Sequence, residues 1–405
     1  MSSIYPSRPI STITKIITSP VDKKSLPDEQ QVFLCNYTDV YYNSVISSNM
    51  SFMEATAKQS EIDRFSLMPN DVVITKDSES ADDIGIPTYV ESVRNNLLCG
   101  YHLAILRPKK IVNGRFLSFA LRHPRISYDF YRYANGITRF GLTLETYKKV
   151  KIPLPPLTEQ KAIADLLVTW DEAIEKTERL IQAKKRQLSG LIQRYISKPQ
   201  LGGKSEGWKP IKLGDIFHTQ KNKGFKGIPV FSVTLYDGIV ERSEIDRKMK
   251  TNLAPEEHLL MEPGDLAYNM MRMWQGASGL AKRKGIISPA YVVVRPGSSV
   301  NPEFAAYWFK SPRMIYLFWA YSYGITGDRL RLYPFDFSLI KCSIPPISTQ
   351  KRIVQILDNV QREIDLLKQL AEKYKIQKRG LMQKMLTGIW RVKPEIINQY
   401  MEDRR

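Results

Sequence analysis

Histidine and cysteine are scarce in this 405-residue chain, with four of the first and three of the second. Cys35, Cys99 and Cys342 lie far apart and form no Cys-x-x-Cys, which argues against a disulfide framework or a zinc site and predicts reduced, buried thiols. His102, His123, His218 and His258 sit at no metal-ligand spacing, so no metal centre is expected. Long apolar runs are missing, which argues against a membrane-spanning helix. The opening residues, Met1 to Arg8, lack the pattern of a signal peptide, and a cytoplasmic location is the expectation.

Catalytic signatures are missing too. An amino-methyltransferase needs a glycine-rich cofactor loop and an Asp/Asn-Pro-Pro-aromatic motif. The two Pro-Pro pairs here are Leu154-Pro155-Pro156-Leu157 and Ile344-Pro345-Pro346-Ile347, without acceptor or aromatic. Gly202-Gly-Lys-Ser205 resembles the end of a P-loop, but Lys198 stands where its first glycine belongs and no strand leads in. A non-catalytic protein that binds no cofactor of its own is expected.

What the chain has in excess is positive charge. The formal net charge is +19, spread along the sequence with no basic tail to carry it. That balance favours a polyanionic partner, nucleic acid first. The length allows two or three domains, each with its own core.

It also has a repeat. Val150-Lys-Ile-Pro-Leu-Pro-Pro-Leu-Thr-Glu-Gln-Lys161 is echoed by Lys341-Cys-Ser-Ile-Pro-Pro-Ile-Ser-Thr-Gln-Lys351, and an offset of 190 residues holds from Pro155/Pro345 through Gln193/Gln383. Two copies at so long a period imply two similar halves related by a pseudo-twofold. After each Pro-Pro the apolar residues alternate by four and three. The first series runs through Ile163, Leu167, Trp170, Ile174, Ile181 and Leu188. The second runs through Ile353, Leu357, Val360, Ile364, Leu367, Tyr374 and Leu381. This spacing predicts two helices with an a/d seam, most simply paired with each other in a coiled coil. Lys184 and Lys378 interrupt the seam. Thr158 and Ser348 are placed to cap the helix starts, and Glu159 suits the first-turn dipole. Glycine- or proline-containing segments, Lys198–Gly203 and Thr387-Gly388, stop both helices.

Ahead of each helix lies a block with short β-rich runs, so the order is block, helix, block, helix. The blocks have diverged more than the helices, retaining parallels such as Gly136-Ile-Thr138 with Gly324-Ile-Thr326. Side chains able to read base edges gather in corresponding places. In the second block these are Asn269, Arg272, Trp274 and Gln275, followed by Tyr323, Arg329 and Arg331; in the first, Arg132, Tyr133, Asn135 and Arg139. Lys221, Lys223 and Lys226 fit phosphate contacts, which position without specifying. A coiled-coil scaffold with an incidental basic surface competes with this reading, and a solitary DNA-modifying enzyme is a weaker third.

The twice-repeated Pro-Pro-Leu-Thr-Glu-Gln-Lys type of helix start resembles the specificity (S) subunit of type I restriction-modification systems. So do Met261-Glu-Pro-Gly-Asp-Leu266, the Asn269–Gln275 stretch and Ile286-Ile-Ser-Pro-Ala-Tyr291. The resemblance covers nearly the whole chain and implies an α+β protein with two mixed α/β target recognition domains. Two long conserved helices, packed as an antiparallel coiled coil, would separate them. The implied layout is recognition domain 1–151, helix 152–198, linker 199–208, recognition domain 209–341, helix 342–388 and tail 389–405. The resemblance further implies double-stranded DNA with a bipartite site, two modification subunits carrying S-adenosylmethionine, and restriction subunits using ATP and Mg. Two departures stand out: the first block lacks the Trp208-x-x-x-x-Leu213-Gly-Asp215 opening, and Thr349 replaces Glu159 in the second repeat.

Overall fold

The computed structural model describes residues 4–22, 24–197, 207–244 and 253–402. The Gly202–Ser205 look-alike and most of the 199–208 linker lie outside the described residues. The chain divides into two compact units, one formed by residues 1–176 with 370–405 and the other by residues 177–369. Each unit holds one block, the start of the helix that follows it and the end of the other long helix.

In the first unit a five-stranded sheet runs in the order Thr14–Thr18, Leu103–Pro108, Val72–Thr75, Pro87–Val90, Val45–Ile46. A three-stranded sheet places Gln30–Cys35 between Met53–Ala57 and Leu97–Cys99. Alternation along the central strands sorts side chains into two cores, as the period of two requires. Leu103, Ile105 and Val73 pack toward the second sheet, while Ala104, Leu106, Val72 and Ile74 pack toward helices Gly114–Leu121 and Pro124–Tyr133. The second unit repeats the arrangement over four strands: Phe217–Gln220, Tyr291–Pro296, Leu266–Asn269, Ser278–Leu280. Val292, Val294, Leu266 and Tyr268 face the helical core there, and Val293 and Ala267 the other side.

The N-terminal edge follows the same plan in both units despite the missing motif. Strand Ser7–Pro9, the one-turn helix Ile10–Ile13 and strand Thr14–Thr18 correspond to Lys209–Lys212, Leu213–Ile216 and Phe217–Gln220. The Ile10 amide donates to the Val150 carbonyl, as the Leu213 amide does to Ile340, both at 3.0 Å. Ile10 and Leu213 are both fully buried at that position.

The long helices span Leu157–Ile192 and Ile347–Leu386. They begin one residue before the expected caps, so Thr158 and Ser348 fall inside the first turn. Pro156 and Pro346 occupy the cap position, their carbonyls accepting from the amides of Gln160 and Gln350. The first helix ends in a π-helical turn, Gln193–Ser197, and Gly388 follows the second in a left-handed conformation (φ +79°) with its amide on the Met385 carbonyl.

Every seam position is buried or half-buried. In the first unit the Trp170 and Tyr374 rings meet edge to face at 5.6 Å, and Lys378 pairs with Asp171 while lying over the Phe119 ring. In the second, Lys184 pairs with Glu363 at 2.5 Å, and Ile192 and Ile196 share a core with Ile353 and Leu357. Within each unit, contacts climb one helix as they descend the other, so the helices pack antiparallel. The two lysines close the seam with ion pairs instead of breaking it.

The repeated glutamine joins each helix to its block. Gln160 Oε1 accepts from the Asn113 amide (2.9 Å), and its Nε2 donates to the carbonyls of Ile111 (3.0 Å) and Pro155 (2.8 Å). Gln350 does the same with Asn301, Ser299 and Pro345 at 2.8, 2.9 and 2.8 Å. Both glutamine side chains are fully buried, so their own amide groups depend on these partners, and the buried carbonyls of Pro155 and Pro345 depend on them in turn. The Asn113 and Asn301 side chains in turn cap helices Gly114–Leu121 and Pro302–Phe309.

A second shared device is the Pro-x-Asp turn. Buried Asp71 accepts a bidentate pair from Arg107 (2.9 and 2.8 Å), and buried Asp265 one from Arg295 (2.7 and 2.8 Å). Each aspartate also accepts the amide three residues before it, at Met68 and Glu262.

Glu159 accounts for the asymmetry at Thr349. It is 1% exposed and accepts from the Tyr5 hydroxyl (2.8 Å) and both arms of Arg391 (2.7 Å each). Burial alone would raise its pKa. The Arg391 guanidinium and the Tyr5 hydroxyl outweigh burial and hold the carboxyl below its ordinary range. The segment after the second long helix, including helix Pro394–Glu402, is thereby tied to the start of the first.

Candidate nucleic-acid interface

In the second unit, strand Leu266–Asn269 leads into a tight segment that ends at Gly276, left-handed at φ +87°. Buried Met273 anchors it. The Asn269 Oδ1 accepts from the Met271 amide (3.0 Å), and the Trp274 indole donates to the Met271 carbonyl (2.9 Å). Lys310 Nζ donates to the carbonyls of Gly276 (2.6 Å) and Leu235 (3.1 Å), pinning the end of the segment from the adjoining helix. Burial lowers that ammonium to about 8. Arg272 and Gln275 are left exposed on this braced loop.

The opposite wall is the loop closed by the Tyr323–Arg331 bridge, with Tyr323 against Tyr333 at 5.4 Å and Thr326 Oγ1 donating to Asp328 (2.6 Å). Between the walls lies a cleft of about 880 Å³, lined among others by Arg272, Trp274, Gln275, Tyr323, Arg329 and Arg331. None of these three arginines has an ion-pair partner among the described residues. Six of the seven base-reading candidates in this block therefore converge. Asn269 does not line the cleft, and its carbonyl oxygen is spent bracing the loop.

The first unit holds a cleft of about 830 Å³ with different chemistry. The short helix Tyr37–Tyr41 begins with the Asn36 amide on Asp39 (2.7 Å) and presents Tyr37, stacked on Tyr41 at 5.5 Å, with Tyr42 edge-on beyond. Tyr41 donates to Asp83 (2.9 Å), which raises the phenol's pKa. Tyr101 lies under Lys76, which pairs with Asp77 at 2.7 Å, and His102 Nδ1 meets the same carboxylate at 3.2 Å. Asn135 and Arg139 complete the wall from the paired segments Asn135–Gly136 and Phe140–Gly141.

Arg132 and Tyr133 are not in this cleft. They line a separate hollow of about 440 Å³ with Arg125, Lys149 and Lys151, and Arg132 and Lys149 both lie against the Tyr133 ring. Lys221, Lys223 and Lys226 are exposed on the segment after strand Phe217–Gln220, apart from the cleft lining. Sequence reasoning missed the tyrosines, although Tyr37-Thr-Asp-Val-Tyr-Tyr42 is a local aromatic concentration that could have marked a stacking surface.

Cys35 and Cys99 are buried and face each other across parallel strands as free thiols, while Cys342 is half-buried. Among the described residues no group of His, Cys, Asp and Glu is arranged to hold a metal ion, and no helix is long and apolar enough to cross a membrane.

Among curated proteins, the chain is 22% identical to a putative type I restriction enzyme MjaX specificity subunit of Methanocaldococcus jannaschii, over 95% of this chain and 93% of that one. It is 21% identical to the type I restriction enzyme EcoKI specificity subunit of Escherichia coli, over 75% and 71%. It shares its fold with the type I restriction-modification S subunit of M. genitalium, at a TM-score of 0.55 and 15% identity over 95% of this chain and 96% of that one. The family model for the type I restriction modification DNA specificity domain matches twice, at residues 10–185 and 205–375. The chain therefore belongs to the specificity subunits of type I restriction-modification systems and carries the family's DNA specificity domain in two copies.

Proposed function

We propose that this subunit reads a bipartite double-stranded DNA site, each unit recognising one half. The observation that carries this is the pairing of one shared frame with two unlike clefts: the same glutamine clamp and Asp–Arg turn support an arginine-rich cleft in one unit and a tyrosine-rich, acidic one in the other. Arginine can address guanine edges bidentately, carboxylates accept from base amino groups, and aromatic faces stack on bases. The half-sites would then differ in sequence. As a specificity subunit the chain is a recognition component and not a catalyst.

The long helices would set the distance between half-sites. At ~1.5 Å per residue a helix of 36 residues spans about 54 Å, on the order of 16 base pairs. They would also dock two modification subunits. Apolar residues left exposed at repeated positions support this: Leu166 with Ile356, and Leu180 with Leu370, each pair at the 190-residue offset. Two equivalent sets suit two copies of one partner. In that assembly the modification subunits hold S-adenosylmethionine and methylate adenine, restriction subunits use ATP and Mg, and the setting is the prokaryotic cytoplasm.

The test is reconstitution with an adenine-methylating modification subunit, followed by mapping of methylated adenines. The proposal predicts one asymmetric bipartite motif with a fixed spacer. Binding with no motif would favour the scaffold reading.

A further inference from the structure

The two clefts differ, yet one element at their rims is the same in both. Gly136-Ile137-Thr138 and Gly324-Ile325-Thr326 form the tips of two corresponding loops. A Cβ on Gly136 would lie 1.8 Å from the Arg139 carbonyl oxygen, and one on Gly324 would lie 2.2 Å from that of Arg329. The same glycine therefore lets the chain fold back onto the same arginine, even though the second loop is longer by Gly327 and Asp328. The strand pair Gly136–Phe140 and the Tyr323–Arg331 bridge hold the two tips.

At each apex the isoleucine stands in solvent, Ile137 at 93% exposure and Ile325 completely exposed. A β-branched side chain with one stiff torsion is a poor choice for a solvated loop and a good one for a rigid wedge. Each is accompanied by exposed cations, Arg139 beside the first and Arg329 and Arg331 beside the second, where Asp328 offsets part of the charge. An apolar tip framed by positive charge complements a polyanion whose interior is apolar, which describes stacked base pairs between phosphates. The tip is repeated while the clefts are not, so its target must be a feature shared by both half-sites, independent of their sequence.

We propose that Ile137 and Ile325 are wedges that insert at a base step in their respective half-sites, unstacking it and kinking the duplex. Apolar side chains inserted between base pairs act this way in proteins that bend DNA. This rests on the bipartite reading above and adds to it a sequence-independent contact for each unit. Unstacking near a target adenine would also ease extrusion of that base by a methylating partner.

The experiment uses the full chain in complex with its modification subunits and duplexes carrying 2-aminopurine singly along the mapped site. The expected result is a fluorescence rise at one step in each half-site, distinct from the methylated adenine. Ile325→Ala should abolish the rise in the second unit's half-site only, and Ile137→Ala in the other. Each should weaken binding by about tenfold without changing the sequence methylated. Ile325→Leu should restore the signal. Specific binding with every other probe still quenched would overturn the wedge and leave the half-site reading standing. Loss of assembly with the modification subunits in the absence of DNA would overturn it by placing the tips against protein. Absence of any specific site would overturn both.

Discussion

The two clefts are built on nearly the same frame and carry opposite chemistry. In the second unit Arg272, Arg329 and Arg331 converge without carboxylate partners among the described residues, with Asp328 beside them in the lining. In the first, Tyr37, Tyr41, Tyr42 and Tyr101 gather with Asp77, Glu79 and Asp83, and Arg139 is the lone arginine of the lining. The glutamine clamps and Asp–Arg turns differ by no more than about 0.2 Å in hydrogen-bond length. Selection on a shared frame is structural: a buried amide must be satisfied whatever the DNA sequence. The arginines of the second cleft are exposed and carry no ion pair among the described residues, so the fold does not fix their identity.

That comparison can be broken first at the frame. Gln160→Ala and Gln350→Ala should each destabilise their own unit by about 2–3 kcal/mol, because one buried and two part-buried hydrogen bonds vanish. Thermal unfolding would register this, and a change in only one variant would show the clamps to be unequal. A smaller effect separates the units. Glu159→Gln should cost about 1–2 kcal/mol, discounted because Arg391 is half exposed, whereas Thr349→Val should be nearly silent. The sign of the pH effect follows from the depressed carboxyl pKa. The contribution is complete above the ordinary glutamate value and disappears as pH falls through the folded-state value, so acid should narrow the gap between wild type and Glu159→Gln. At the clefts, Arg272→Ala should relax one half-site by about 1–2 kcal/mol and leave the other unchanged, measured by competition among variant duplexes. Relaxation of both halves would mean that the clefts do not act separately.

Much of the frame was legible in the sequence because it is written twice. The 190-residue offset and the four-three spacing located both helices, and the seam residues are buried or half-buried as that spacing requires. The role of the repeated glutamine was not legible, since its partners Asn113 and Ile111 lie almost fifty residues upstream in a loop. Lys184 and Lys378 looked like flaws because their partners, Glu363 and Asp171, lie on the facing helix and on no sequence neighbour. The cleft was legible in the second block, where one loop brings Arg272, Trp274 and Gln275 together. In the first block nearness in sequence misled. Arg132 and Tyr133 end the helix Pro124–Tyr133 and face a different hollow from Asn135, which follows closely in sequence, while Tyr37 and Tyr41 come from a helix near the start of the chain.

The central claim, a common frame carrying two independent readers, is tested most directly by exchanging residues 209–341 for the same region of a relative and mapping the adenines methylated by the reconstituted complex. The account predicts that one half of the motif changes while the other half and the spacer stay as they were. A change in both halves would contradict it.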